Sequence, residues 1–292
     1  MCHFYNFSIR GVSRGARVTA KALVITAVIS TSIHGAWAGT IYTVDETATA
    51  SFGTVNQNTV PPGNGAMSCV PAATMNSFTW LQNAYPSVYG LDINNFPVLQ
   101  GGAGSWQAAA TLLAGPQYMN TSPNNGTTIA NWIFGKVSYL NTFAPGATTF
   151  EGMDSLSLAV NRPVWDTNAN PTVNFLLQEL QDGEDVELGI MPADNVGHAL
   201  TLTGLTWNDA DNSGTFNGLD TLTLNTIDPA NPGVNTLLTL APGNPMTITS
   251  LNYQNYVLDV ALAESPEPAT WSLVALGVAA LIANRRARGR SS

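Results

Sequence analysis

Apolar residues recur at helical spacing in "CVPAATMNSFTWLQNAY", where Met75, Phe78, Leu81 and Tyr85 are separated by three, three and four positions. That stripe predicts a helix packed on a core. Pro71 suits its first turn, where a missing N–H costs nothing, so Cys69 falls at or just before the helix start. Two further helices are expected, one from Trp106 to Ala114 ahead of Gly115, the other through Ile129, Trp132, Ile133, Val137 and Leu140. Their aromatics are expected in the core. "FLLQELQDGEDVELGIM", Phe175 to Met191, reads as helix, glycine turn and strand. The acidic trio Glu184, Asp185 and Glu187 beside Gly183 is expected to form a solvated edge, with an extra cation site as the alternative.

After residue 197 the period becomes two. "HALTLTG", from His198, sets Leu200 and Leu202 against Ala199, Thr201 and Thr203, and "DTLTLNTID", Asp220 to Asp228, alternates in the same way. The polar stretch "WNDADNSGTFNGL" between them reads as the loop of an antiparallel hairpin centred near Ser213. Pairing symmetric about that centre puts His198 opposite Asp228, with both side chains on one face of the sheet. A last strand is expected within "YQNYVLDVALAE".

The hairpin loop carries a second pattern. Asp209, Asp211, Ser213, Gly214, Asn217 and Asp220 occupy positions 1, 3, 5, 6, 9 and 12 of a calcium loop, and the Thr215 carbonyl stands at position 7. Aspartate at position 12 in place of the usual glutamate shortens the reach of the bidentate ligand. A structural Ca2+ here would stiffen the hairpin; the alternative is a solvated Asp/Asn turn.

Residues 1–38 read as an export signal: Arg10, Arg14, Arg17 and Lys21, then the apolar "ALVITAVISTSI", then small residues at Ala36 to Ala38. The apolar stretch is short for a membrane span. The expected domain covers residues 39–264. At the far end, Ser265-Pro266-Glu267-Pro268, an apolar run from Trp271 to Ala283 and Arg285, Arg286, Arg288 and Arg290 resemble the PEP-CTERM sorting signal. That resemblance implies processing by signal peptidase and exosortase, transient inner-membrane anchoring through the short C-terminal helix, and delivery to the cell surface or extracellular polysaccharide matrix of a Gram-negative bacterium.

Without the two ends, Lys136 and Arg162 face eighteen carboxylates, a formal −16. Such a balance repels phosphate backbones, so nucleic acid is excluded as a partner. About 225 residues suffice for one core. Of two cysteines and three histidines, only Cys69 and His198 lie outside the expected export signal, so a disulfide within the processed chain is ruled out. Cys69 is then a reactive nucleophile, a buried inert thiol or one half of an intermolecular disulfide. At a helix start the unpaired N–H groups and the dipole favour the thiolate.

Cys69 before a helix, then "FLLQELQDGEDVELGIM", "GHALTLTG" and "TIDP", resemble the C39-like cysteine peptidases over roughly residues 57–230. The fold class this implies is α+β and papain-like, with an N-terminal helical part carrying the cysteine and a C-terminal antiparallel sheet carrying histidine and aspartate. The implied roles are nucleophile for Cys69, general base for His198 and imidazole-orienting group for Asp228, acting on a peptide or protein substrate at a peptide or isopeptide bond. For the oxyanion the nearest amides are Asn64, the favoured one, and Gln57. Val70 departs from the glycine common after the nucleophile. The competing function is a catalytically inactive, calcium-stabilised binding or structural protein of the matrix.

Overall fold

The computed structural model describes residues 2–3, 39–61, 67–93, 103–156, 162–192 and 196–267. The export signal beyond residues 2–3, Asn64 and the apolar and arginine-rich parts of the sorting signal lie outside them. Among the described residues no helix is long and apolar enough to cross a membrane.

The two-residue alternation seen from His198 extends in both directions, so the strand runs as β6, Val196–Asp209. The other strands are β1 (Cys2–His3), β2 (Thr40–Asp45), β3 (Thr148–Asp154), β4 (Asp166–Asn168), β5 (Asp185–Met191), β7 (Thr221–Ile227), β8 (Asn235–Ala241), β9 (Thr247–Ile248) and β10 (Val257–Pro266). The helices are α1 (Cys69–Ala84), α2 (Pro86–Ile93), α3 (Ala103–Ala114), α4 (Ile129–Phe143) and α5 (Val173–Asp182).

Strands β5, β6, β7, β8, β9 and β10 pair antiparallel in that order, and β10 returns to pair with β5. The ring is a closed six-stranded barrel, to which β2 adds along β6 and β3 with β4 along β10. This corrects the expected papain-like α+β fold with its helical N-terminal part and separate C-terminal sheet. The sheet takes in residues from before α1 and dominates the molecule. The sequence period identified single strands but carried no information on closure, which depends on the short β9 and on β10 pairing with both β5 and β9.

Alternation along the barrel strands sorts two cores. Leu200, Leu202, Leu224, Leu238, Ile190 and Ala261 belong to one cluster, against which α5 packs Val173, Leu176 and Leu180. Ala199, Val260 and Leu262 belong to the other, formed with α1, α3 and α4. In α1 every residue from Cys69 to Gln82 is buried, so the expected single stripe understates its coverage. Several of its polar groups are hydrogen-bonded: Asn76 accepts from the Val55 N–H at 2.6 Å, and Thr74 accepts from Trp132 Nε1 at 3.0 Å. Buried Met75, Phe78 and Leu81 each contribute about 1.5–3 kcal/mol by leaving water.

The acidic trio after Gly183 is a second correction. Glu184, Asp185 and Glu187 are buried. Glu187 pairs with Leu262 and Asp185 with Glu264 across the β5–β10 ladder, and α4 covers this face with the ammonium of Lys136. One of the domain's two cations is therefore interior, ion-paired with Glu187 and Glu264.

Candidate functional site

α1 and β6 run side by side in the same direction. Thr201 Oγ1 donates to the Ala73 carbonyl at 2.8 Å, and further along Trp80 Nε1 donates to the carbonyl of Glu46, next to the Asp45–Gly204 pair. Going back from Ala73, one helical turn of about 6 Å reaches Cys69. Three strand residues back from Thr201, about 10 Å, is His198. Cys69, the first residue of α1, therefore stands at the end of the helix–strand pair that carries His198, and it shares a core cluster with Ala199 and Ile227.

His198 Nε2 lies 2.8 Å from Asp228 Oδ1. The contact does not arise from the expected cross-strand register. β7 ends at Ile227 opposite Thr201, where the expected register would place Asn225, so Asp228 lies just past the strand and reaches diagonally to the imidazole. Asp228 Oδ1 also accepts from the Ala230 N–H at 2.8 Å, and Oδ2 accepts from the Tyr253 hydroxyl at 2.5 Å. Burial works to raise the Asp228 carboxyl; the hydrogen bond and charge of His198, with Tyr253 and the Ala230 N–H, outweigh it and hold the group below its ordinary value. An ionised Asp228 accepts the Nε2 proton, which leaves Nδ1 as the imidazole nitrogen available to a base role.

Cys69 is fully buried and disulfide-bonded in the full chain, where a lone thiol was expected. The only other cysteine of the sequence is Cys2, whose backbone lies opposite Gly197, beside His198. The expectation had counted Cys2 out with the export signal. In a chain beginning near Gly39, Cys69 is the single cysteine.

Of the two amides weighed for the oxyanion, Gln57 is the one described. Its N–H donates to the carbonyl of Pro229 at 2.9 Å, its side chain is buried, and its Oε1 has no hydrogen-bond partner. Beside Asp228 a cavity of about 230 Å³ is lined by Phe52, Thr54, Ile227, Val234 and Asn235 among others.

The Asp-rich loop is closed by its own backbone. Asp209 accepts from the Ser213 and Gly214 N–H groups at 2.9 Å, and Asp220 accepts from those of Ala210 and Asn217. Gly214 has φ +66°, the turn that position 6 requires. One atom of each of Asp209, Asp211 and Asp220 falls within 4.8 Å of the others. Asn217 Nδ2 lies 3.0–3.2 Å from four oxygens, Asp211 Oδ1 and Oδ2, Ser213 Oγ and the Thr215 carbonyl. An amide has two protons for these four acceptors.

The other acidic group, Asp185, Glu187 and Glu264, also lies within 4.8 Å and can hold a metal ion. Its present counter-charge is Lys136. Burial, then the charge of Glu187, push Asp185 and Glu264 well above the ordinary carboxyl value. The sequence leaves a cation site open at Asp185 and Glu187; Glu264, which completes the cluster, comes from β10, distant in the chain. Tyr253 was missed: it was read within a last strand, whereas it ends a 3-10 turn, Leu251–Tyr253, and β10 begins at Val257.

Neither protein-family models nor curated proteins give a match to this chain.

Proposed function

We propose that the processed protein is an exported thiol-dependent acyl hydrolase or transferase that opens a peptide or isopeptide bond. The observation that carries this reading is the His198–Asp228 hydrogen bond, made through Nε2 at the end of β6 that flanks the start of α1. In the proposed reaction Nδ1 takes the Cys69 proton, and the thiolate adds to the substrate carbonyl. The imidazolium then returns that proton to the departing amine, leaving an acyl-enzyme that water or an amine resolves. Asp228 orients the ring and stabilises its charge. Gln57 replaces Asn64 as the proposed amide facing the oxyanion, because its backbone is tied to Pro229. An apolar side chain of the substrate would suit the cavity at Phe52 and Ile227. The thiol form of Cys69 is required, so activity belongs to the chain in which the disulfide is absent.

The ends of the chain support export, release by signal peptidase and exosortase, and a surface or matrix destination. Within the domain, we assign the Asp209–Asp220 loop to a structural Ca2+ ion, because four oxygens converge where Asn217 supplies two protons. The function is tested by the pH dependence of Cys69 alkylation with and without His198: a reactive thiolate below neutral pH that is lost in His198→Ala supports it, and identical ordinary thiol titrations refute it.

A further inference from the structure

We infer that Tyr253 is a positioning residue of this site, fixing Asp228 through its hydroxyl and covering the His198–Asp228 contact with its ring; the inference rests on the proposed function. Asp228 has two oxygens and its surroundings assign each a task. Oδ1 is shared by His198 Nε2 and the Ala230 N–H, and Oδ2 is held at 2.5 Å by the Tyr253 hydroxyl. Without that last bond the carboxylate can turn about the Oδ1 anchor, and the imidazole loses its fixed acceptor direction.

The ring does separate work. It stacks on His198 with centroids 5.6 Å apart and planes inclined by 22°, and it meets the ring of Tyr256 edge-on at 5.4 Å. His198 and Asp228 side chains are 14% and 11% exposed, so the pair lies at the surface and needs a cover to keep water from competing for Nε2–H. The groups that face the carboxylate are His198 from β6, the Ala230 N–H from the turn after β7 and Tyr253 from the 3-10 turn; Tyr256 is the titratable neighbour of Tyr253. The tyrosine remains a protonated donor, since burial, then Asp228, push its hydroxyl well above the ordinary value.

The test uses the full chain carrying Cys2→Ser, so that Cys69 is the one thiol, labelled with 15N-histidine. Three histidines give three ring systems, and His198→Ala identifies the one of interest. The expected result is a protected Nε2–H resonance and a single tautomer for His198 in the parent. In Tyr253→Phe, which keeps the ring, that resonance should broaden by exchange with water and the tautomers should mix. Cys69 alkylation at about pH 6 should fall about fivefold, part of the worth of a charge-assisted hydrogen bond and less than the loss in His198→Ala, with no fall at about pH 9–10, where a less assisted thiolate is the stronger nucleophile. Tyr253→Leu should accelerate the exchange further. Unchanged resonance, tautomer and alkylation in Tyr253→Phe would overturn the inference, as would a His198 Nε2–H already in rapid exchange in the parent, a measurement that needs no folded variant. An ordinary thiol titration at Cys69 combined with a protected resonance lost in Tyr253→Phe would sink the nucleophile reading and leave the positioning role standing.

Discussion

Replacing His198 by alanine separates a paired thiolate from an ordinary thiol, and the size of the effect can be worked out. His198 is held through Nε2 by Asp228, and Cys69 opens α1, where the helix dipole adds to the imidazolium charge. An unassisted cysteine with pKa about 8.5 is roughly 0.3% thiolate at pH 6, whereas one brought to about 5 is roughly 90%. The gain of roughly 300-fold in thiolate is not the gain in rate. Nucleophilicity falls with basicity at a Brønsted slope of about 0.45, which removes about 40-fold over that interval. The expected net advantage of the parent over His198→Ala is therefore about eightfold at pH 6; it reverses at about pH 7, and by about pH 9–10 the variant, whose unassisted thiolate is the stronger nucleophile, is roughly 30-fold faster. Burial of Cys69 slows both proteins alike, so the ratio is the quantity to read. The assay is iodoacetamide labelling of Cys69 in the full chain carrying Cys2→Ser, quantified by mass spectrometry across pH. Superimposable curves with a midpoint near the ordinary thiol value would refute the thiolate–imidazole pair.

Calcium at about 100 times its dissociation constant should stabilise the native chain by about 2.7 kcal/mol, a rise in Tm of about 5–10 °C at this size. Differential scanning calorimetry with added Ca2+ and with chelator should show that rise and its loss in Asp209→Ala; equal melting in all three would remove the ion from the loop. Lys136→Met should cost about 3–5 kcal/mol in urea unfolding at neutral pH, because Glu187 is left buried with no counter-charge. A neutral or stabilised variant would show that this carboxyl carries a proton in the folded protein. Between about pH 5 and 7 the parent should become less stable as pH rises: burial, then Asp45, lift Glu46 from 4.5 to about 7, so the native state keeps a proton that the unfolded chain releases. The slope is up to about 1.4 kcal/mol per pH unit per such group. Glu46→Gln should flatten that dependence in urea titrations, and an unaltered slope would exclude Glu46 as its source.

The elements legible in the sequence were those with a local cause. α1 begins at Cys69 because Pro71 fits its first turn, and α5 ends at Gly183 because the chain there takes φ +77°. The strands from His198 and to Asp228 follow a period of two. What stayed illegible is what distant segments decide. Nothing local announces that β10 pairs with β5 and β9, so the α+β expectation missed a closed barrel. The hairpin argument reached the His198–Asp228 contact by a register that the observed pairing of Thr201 with Ile227 does not keep. Two errors compensated there: the ladder was displaced, and Asp228 left it to bridge the difference.

The charge count shows most directly where composition misleads. Eighteen carboxylates against two cations suggested a uniformly acidic surface, yet twelve of them are buried among the described residues. Some are absorbed by structure: Asp209 and Asp220 by loop N–H groups, Asp154 and Asp166 by Arg162, Glu187 and Glu264 by Lys136. Others are held by protonation. Burial, then the neighbouring Glu184, lift Glu179 to about 10. The interior therefore carries fewer negative charges than the sequence counts, and the surface fewer than the net charge suggests. Acid strengthens this interior by the same linkage that applies to Glu46, a gain that ends at the ordinary carboxyl value, where the unfolded chain takes the same protons. The histidine–aspartate pair has its own limit, where Asp228 takes a proton and stops accepting from His198. Because Asp228 is held below the ordinary carboxyl value, that limit lies on the acid side of the ordinary carboxylate range. The same chain can then gain stability on mild acidification while its histidine–aspartate pair stays intact, a separation that depends on Tyr253 and the Ala230 N–H keeping Asp228 ionised.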